Sequence, residues 1–124
     1  MQAIMTENAP IPGGHYSQAI VHNGFVFVAG QLATVPGRKE HHPGTIAEQT
    51  EQAMRNVEAI LKAAGSGLDK LVQVTIYVSD IELWGEVNSA YSRIMGAHCP
   101  SRAIVPVKEL HYGYGIEIQA VAAA

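Results

Sequence analysis

The sequence predicts one α+β domain in which two helices lie on one face of a mixed sheet. Its length of 124 residues suits a single core. Two stretches carry apolar residues at the three- and four-residue steps of amphipathic helices, and five shorter stretches have the composition of strands. Their order, β-β-α-β-α-β-β, is typical of α+β proteins. We therefore treat residues 1–124 as one domain.

The first elements are predicted to be an arm and a hairpin. Met1–Gly14, which contains Pro-Ile-Pro-Gly-Gly, indicates an irregular arm. Ser17–His22 and Phe25–Gly30 are apolar runs joined by Asn-Gly, a dipeptide that favours a two-residue turn. We expect these runs to pair as antiparallel strands, followed by a loop over Thr34–Gly44.

A helix is then expected to begin at Thr45. Thr45 and Glu48 have the spacing of a capping box, in which each side chain accepts a hydrogen bond from the other residue's backbone N–H. Gly65 follows the last apolar step and is expected to end the helix in a left-handed conformation. The next stretch, Leu71–Val78, is rich in β-branched residues, which predicts a strand buried largely on both faces.

A second helix is predicted to start at Ser79 or Asp80, either of which can cap it, and to end at Gly96. Two predicted strands, Arg102–Val107 and Gly115–Ala122, complete the chain. Because the helices cover only one face of such a sheet, apolar residues on the other face would be wet in a monomer. The pattern therefore predicts symmetric self-association.

Composition and charge disfavour several classes of protein. The chain is 48% hydrophobic and 15% charged, which is ordinary for a folded domain. Its net charge is −3 and its eight Lys and Arg residues are spread along it, which disfavours nucleic-acid binding. No apolar run approaches the roughly 20 residues needed to cross a bilayer. The first residues lack a signal-peptide pattern and Cys99 is the only cysteine, so we expect a reducing, cytoplasmic location.

Two charged residues, Arg102 and Glu117, fall within the last two predicted strands. If those strands lie close together, both side chains could line one pocket. There the guanidinium fork would bind a carboxylate and the glutamate would position a water molecule. A structural ion pair, or two exposed residues, explains the same pattern, and the pattern alone favours that simpler interpretation.

Several stretches resemble the RidA/YjgF family, also known as the L-PSP endoribonuclease family. The resemblance covers nearly the whole chain and is carried by ENAPIPGGHYSQAI, FVFVAGQL, QTEQAMRNVEAILKAAGSGLDKLVQVTIYVSD, EVNSAYSRI, PSRAIVPVKEL and GIEIQAVA. The Pro-Ser-Arg-Ala stretch followed by Ile-Glu-Ile is similar to the family's C-terminal signature. It shifts the interpretation of Arg102 and Glu117 from an ion pair towards function.

The resemblance implies a chorismate-mutase-like subunit and a homotrimer with its sites between subunits. It also implies hydrolysis of reactive 2-imino or enamine acids to 2-oxo acids and ammonia, with no cofactor and no metal. In that scheme Arg102 holds the substrate carboxylate and Glu117 positions the attacking water. The expected partners are a small imino or oxo acid and further copies of the chain. Neither nucleic acid nor a membrane is an expected partner.

The resemblance extends to other pocket residues. Tyr16 matches a tyrosine that closes over the substrate, Gly30 a glycine whose backbone lines the pocket, and Asn88 an asparagine near the cleft. Two positions depart from the family pattern. Ala29 stands where the archetypal deaminases carry serine, and Ile104 stands where cysteine is common, so the pocket wall differs.

The segment HYGYG, which precedes Glu117, departs further from the family pattern. Its first residue, His111, could act as an additional acid or base, because histidine titrates near neutral pH. The simpler interpretation is that His111 packs beside Tyr112 and Tyr114 at a subunit contact.

Other chemically notable residues have simpler interpretations. The pair His41 and His42 lies in a Gly/Pro-bordered loop without partners at metal-ligand spacing, which indicates a solvated loop. Cys99, next to His98 and before a proline, is interpreted as a packing residue, and Trp84 as a core or interface residue.

Three functions are consistent with the sequence. The first is a cofactor-free imine deaminase. The second is a non-catalytic trimer, either binding small carboxylates or acting as a chaperone, which the altered pocket wall favours. The third, an endoribonuclease, is the weakest because the chain is acidic overall.

Overall fold

Six strands and two helices make up the chain in the computed structural model, which describes residues 1–124. The strands are β1 (Gln2–Ile4), β2 (Ala19–His22), β3 (Phe25–Leu32), β4 (Leu71–Val78), β5 (Ser101–Pro106) and β6 (Ile116–Ala123). The helices are α1 (Ile46–Ala63) and α2 (Trp84–Met95), and short 3₁₀ turns span Leu68–Lys70, Ile81–Leu83 and His111–Gly113.

The strands form one mixed sheet in the spatial order β1-β2-β3-β6-β4-β5. All neighbouring strands are antiparallel except β4 and β5, which are parallel and connected through α2. Both helices pack on one face, where they share a single apolar core with the sheet. The α+β class, with a mixed sheet and two helices on one face, is therefore confirmed.

The N-terminal arm contains a strand that the sequence pattern did not predict. Within Met1–Gly14, expected to be irregular, β1 pairs with β2 so that Ala3 lies opposite Ile20. Ile4 anchors this strand in the core and is only 7% exposed. Three residues are too few to show an alternating pattern, which is why the strand was missed. β3 likewise continues beyond its expected end at Gly30.

Helix α1 has the predicted N-terminal cap. The backbone N–H of Glu48 donates to the Thr45 hydroxyl oxygen at 3.1 Å, and the backbone N–H of Thr45 donates to the Glu48 carboxylate at 3.0 Å. The hydrogen bonds from Thr45 lower the pKa of Glu48 below its ordinary value. Gly65 follows the helix with φ of 79°, the left-handed conformation expected there.

The apolar core lies between the helices and the sheet face that they cover. Its largest fully buried apolar side chains are Met54, Ile60, Leu61, Ile76, Ile116 and Ile118. The expectation that β4 is buried on both faces is wrong in the single chain. Val74 and Ile76 are fully buried, whereas Val72 is 45% exposed. The reason is that helices cover only one of the two faces.

Helix α2 starts later than expected, because the turn Ile81–Leu83 precedes it. Asp80 rather than Ser79 caps that turn, with its carboxylate accepting a hydrogen bond from the Glu82 backbone N–H at 2.9 Å. Gly96 follows the helix at φ of 63°. Neither α1 nor α2 has the length and apolar composition that crossing a membrane requires.

The face without helices carries exposed aromatic residues. Phe25 and Phe27 of β3 are 42% and 47% exposed, and their ring centroids lie 6.4 Å apart. Phe27 lies directly opposite Val121 of β6. We call this side of the sheet the open face. Self-association through this face stays a prediction.

Candidate active site

Arg102 lies at the edge of the sheet, on the face that the helices cover. Its strand, β5, pairs only with β4, and Arg102 lies opposite Val74, which is fully buried. Directly paired residues of neighbouring strands point to the same face. The guanidinium is therefore on the α2 side, where it is partly exposed.

Three side chains of α2 surround this guanidinium. An Nη1–H of Arg102 donates a hydrogen bond to the side-chain amide oxygen (Oδ1) of Asn88 at 2.9 Å. The guanidinium carbon lies 4.9 Å from the Tyr91 ring centroid and 5.8 Å from the Trp84 ring centroid. Positions 84, 88 and 91 share one face of a helix, because they are spaced by four and three residues. This arrangement fixes the arginine and leaves its other N–H groups for a ligand.

Tyr91 is the buried member of the three. It is 6% exposed, and its hydroxyl is a buried side-chain polar atom with no hydrogen-bond partner in the chain. Burial raises the pKa of the Tyr91 phenol; the positive charge of Arg102 opposes that shift and Cys99 adds to it. The ring thus supports Arg102 while its hydroxyl gains nothing from hydrogen bonding.

Glu117 lies on the open face. Its neighbours along β6, Ile116 and Ile118, are fully buried in the core, so Glu117 points the other way. It lies opposite Tyr77 of β4 and Leu32 of β3.

Gly30 brings the backbone of β3 against the Glu117 carboxylate. A Cβ atom built on Gly30 would overlap Oε2 of Glu117. Only glycine leaves room for this contact, which explains why an extended strand carries glycine here. Sequence resemblance had placed Gly30 along the pocket, and the structure places it next to Glu117.

The two strands do not lie close enough for Arg102 and Glu117 to line one pocket of a single chain, as the sequence allowed. β4 separates β5 from β6, and the two side chains point to opposite faces of the sheet. The sequence does not predict this strand order, because β6 inserts between β3 and β4 and that pairing has no local signal.

The other pocket residues named from the sequence are spread over both faces. Ile104 lies opposite Ile76 and packs against the core on the face of Arg102. Ala29 is half-buried and donates its backbone N–H to the carbonyl of Gln18 at 2.9 Å. Tyr16 is 54% exposed, and its hydroxyl accepts a hydrogen bond from the Gly13 N–H at 3.3 Å.

The HYGYG segment is held by the loop that precedes α1. The His41 ring stacks on Tyr112 at 3.9 Å between centroids, and its Nδ1 lies 3.2 Å from the Tyr114 hydroxyl. Tyr112 adopts a left-handed backbone conformation, with φ of 62°. Burial raises the pKa of Tyr114. His111 is exposed and its ring packs 5.8 Å from that of Tyr112, as the simpler interpretation expects, whereas its place at a subunit contact stays a prediction.

Several simpler interpretations need correction. His42 is exposed beside Glu40, as expected for a solvated loop, but His41 packs on a tyrosine. Cys99 is exposed rather than packed. Trp84 is 44% exposed, which excludes the core and leaves the interface interpretation as a prediction. No three His, Cys, Asp or Glu side chains converge in an arrangement that would hold a metal ion.

The fold and the placement of these residues characterise one kind of α+β domain. Its sheet carries Arg102, held by α2, at the edge of one face, and Glu117, packed against the backbone of Gly30, on the other face. The chain belongs to the family described as Endoribonuclease L-PSP, whose family model matches residues 6–124.

Known relatives match nearly the whole chain. A RutC family protein of Pyrococcus horikoshii is 41% identical over 98% of this chain and 96% of its own length. The rat protein named 2-iminobutanoate/2-iminopropanoate deaminase is 37% identical over 98% of this chain and 88% of its own length. The E. coli YjgF structure is 32% identical, with a TM-score of 0.92 and coverage of 99% of this chain and 98% of that one. The fold is therefore that of the L-PSP/YjgF proteins.

Proposed function

We propose that the protein hydrolyses reactive 2-imino and enamine acids to 2-oxo acids and ammonia, without a cofactor. The observation that carries this proposal is the guanidinium of Arg102, which Asn88 and two aromatic rings hold in place while its remaining N–H groups stay available. A planar fork of donors suits a carboxylate, which every 2-imino acid carries. The similarity to the rat protein named as a deaminase of such acids supports the same substrate class.

The site is completed by a second subunit in this proposal. Arg102 and Glu117 lie on opposite faces of one sheet, so one chain does not bring both to the same small substrate. β5 is an edge strand, and the open face bears exposed apolar side chains that a neighbour would cover. We infer a homotrimer in which Arg102 of one subunit faces Glu117 and Gly30 of the next. Tyr16, exposed in its loop, is free to close over the substrate.

The reaction uses two protein groups. Arg102 binds the substrate carboxylate through parallel N–H···O bonds and so fixes the imine carbon. Glu117 accepts a proton from water as the water oxygen bonds to that carbon and the C=N π electrons move to the nitrogen, which takes the proton from the Glu117 carboxyl group. Glu117 then transfers the hydroxyl proton of the carbinolamine to its nitrogen as the C=O bond forms, the C–N bond breaks and ammonia leaves. Positioning and one proton-transferring group contribute about 10²–10⁴-fold, which suffices for a substrate that also hydrolyses spontaneously.

An oxidase-coupled assay tests this activity. An amino-acid oxidase generates 2-iminobutyrate, and the rate of imine loss is followed with and without the purified protein. We expect acceleration by the wild type, none by Arg102→Ala, and weak acceleration by Arg102→Lys, which keeps the charge but not the fork. Unchanged imine loss at excess wild-type protein would refute the deaminase function.

A non-catalytic carboxylate-binding trimer is the second candidate, in which the chain serves as a ligand carrier or chaperone. The altered pocket wall favours it, because Ala29 offers no hydroxyl and Ile104 no thiol. Calorimetric binding of 2-oxobutyrate by a protein that does not accelerate imine loss would support this function. RNA cleavage, suggested by the family description, is disfavoured by the net charge of −3. We place the protein in a reducing compartment such as the cytoplasm, because Cys99 is its only cysteine.

A further inference from the structure

We propose that Trp84 is a specificity-determining residue, which contacts the substituent next to the substrate carboxylate and favours aromatic over small substituents. This inference rests on the proposed carboxylate site at Arg102 and adds the substrate class that the site prefers.

The three α2 residues around Arg102 differ in exposure, which indicates that they have different roles. Tyr91 is 6% exposed and lies within the fold, and Asn88 is committed to the guanidinium through its hydrogen bond. Trp84 is 44% exposed although indole is the largest side chain and gains most from burial. In the single chain it is therefore the member of the three with surface left to meet a ligand.

The distances bring a bound ligand within reach of the indole. Two parallel hydrogen bonds hold a carboxylate carbon about 4 Å from the guanidinium carbon. The Trp84 ring centroid is 5.8 Å from that same guanidinium carbon. Since the substituent begins one or two bonds beyond the carboxylate, a ring on it can come within the 4.5–7 Å at which aromatic pairs interact when it extends towards α2.

The chemistry of the contact favours apolar, flat substituents. An indole face offers dispersion contacts and no hydrogen-bond partner for a hydroxyl or an amine, apart from its single N–H. Such aromatic pairs contribute enough free energy to change affinity about five- to tenfold. A methyl or ethyl substituent is too short to cover the ring and gains little from it.

Binding of two 2-oxo acids tests the proposal, with phenylpyruvate as the aromatic ligand and 2-oxobutyrate as the small one. Trp84 is the only tryptophan, so its fluorescence reports ligand contact directly. We expect wild type to bind phenylpyruvate about five- to tenfold more tightly in calorimetry. Trp84→Ala should lose that preference, so that its affinity for phenylpyruvate falls about five- to tenfold more than its affinity for 2-oxobutyrate. Trp84→Phe, which keeps a flat ring, should retain most of the preference for phenylpyruvate.

Several results would overturn the proposed role of Trp84. An unchanged preference in Trp84→Ala would overturn the proposal. So would an equal loss of both ligands, or a change in oligomeric state by light scattering, since either indicates a structural role. Turnover assays separate this proposal from the deaminase function. Imine hydrolysis with no substituent preference refutes only the role of Trp84, and selective binding without turnover refutes only the deaminase. Wild type that binds neither acid would overturn the carboxylate site and both proposals.

Discussion

Arg102 and Glu117 point to opposite faces of one sheet, and β4 separates the strands that carry them. Each has its own local support. Arg102 is held by α2, and Glu117 lies against the backbone of Gly30. A site that uses both groups therefore has to be assembled from two chains. This relationship links the proposed chemistry to the proposed oligomer, because loss of the oligomer would abolish the chemistry.

Gly30→Ala tests the contact between β3 and Glu117. The added methyl group overlaps the carboxylate and forces it to move, and displacement of a reacting group by about 1 Å can lower the rate about 10²-fold. We expect a loss of that size in imine hydrolysis, with little change in folding by circular dichroism. Gly85→Ala is the matched control, because a Cβ atom there meets nothing within 4 Å. Wild-type activity in Gly30→Ala would show that Glu117 does not need its present position.

Phe27→Asp tests the open face. Phe27 is 47% exposed in the single chain, so the substitution leaves the core intact while placing a charge where a neighbouring subunit would pack. We expect a folded monomer by light scattering, with loss of imine hydrolysis. Met5→Glu places a charge on an apolar residue that is 63% exposed outside the sheet, and should remain oligomeric. An oligomeric, active Phe27→Asp protein would contradict association through this face.

Tyr91→Phe tests the buried hydroxyl beside Arg102. The hydroxyl has no partner, so its removal should leave the free energy of unfolding at pH 7 unchanged or raise it by up to about 1 kcal/mol. The pKa of Tyr91 is raised in the folded chain. Its neutral form is therefore favoured by folding, and this contribution is complete below pH about 10 and lost as pH rises through the folded pKa.

Urea denaturation at pH 7 and at pH 10.5 gives the comparison. We expect wild type to lose more stability between the two pH values than Tyr91→Phe, which has no group to ionise at that position. Because the ring over Arg102 is kept, imine hydrolysis at neutral pH should also be kept. A strongly destabilised Tyr91→Phe protein at pH 7 would indicate that the hydroxyl has a partner in the assembled protein.

Local features of the fold could be predicted from the sequence and non-local ones could not. The capping box of Thr45 and Glu48 involves residues three apart, and the structure reproduces it. The stacking of His41 on Tyr112 joins segments far apart in the chain, and no local pattern carries such information.

The candidate site shows the same difference between local features, which the sequence predicts, and non-local ones, which it does not. Resemblance to a family named Arg102 and Glu117. Their separation by β4 and their placement on opposite faces follow from strand order and pairing register, which have no local signal. The helix spacing of Trp84, Asn88 and Tyr91 was visible in the sequence. It would have predicted a shared face, although not that Arg102 lies against it.

A mixing experiment measures most directly whether the site is shared between subunits. Arg102→Ala and Glu117→Ala proteins are each inactive on our account, and are unfolded together and refolded at equal concentrations. A trimer containing both has one interface at which an intact Arg102 faces an intact Glu117. We therefore expect about one quarter of wild-type imine hydrolysis, because random assembly creates that interface at about one contact in four. No recovery, from a mixture that light scattering shows to be trimeric, would contradict a site shared between two chains.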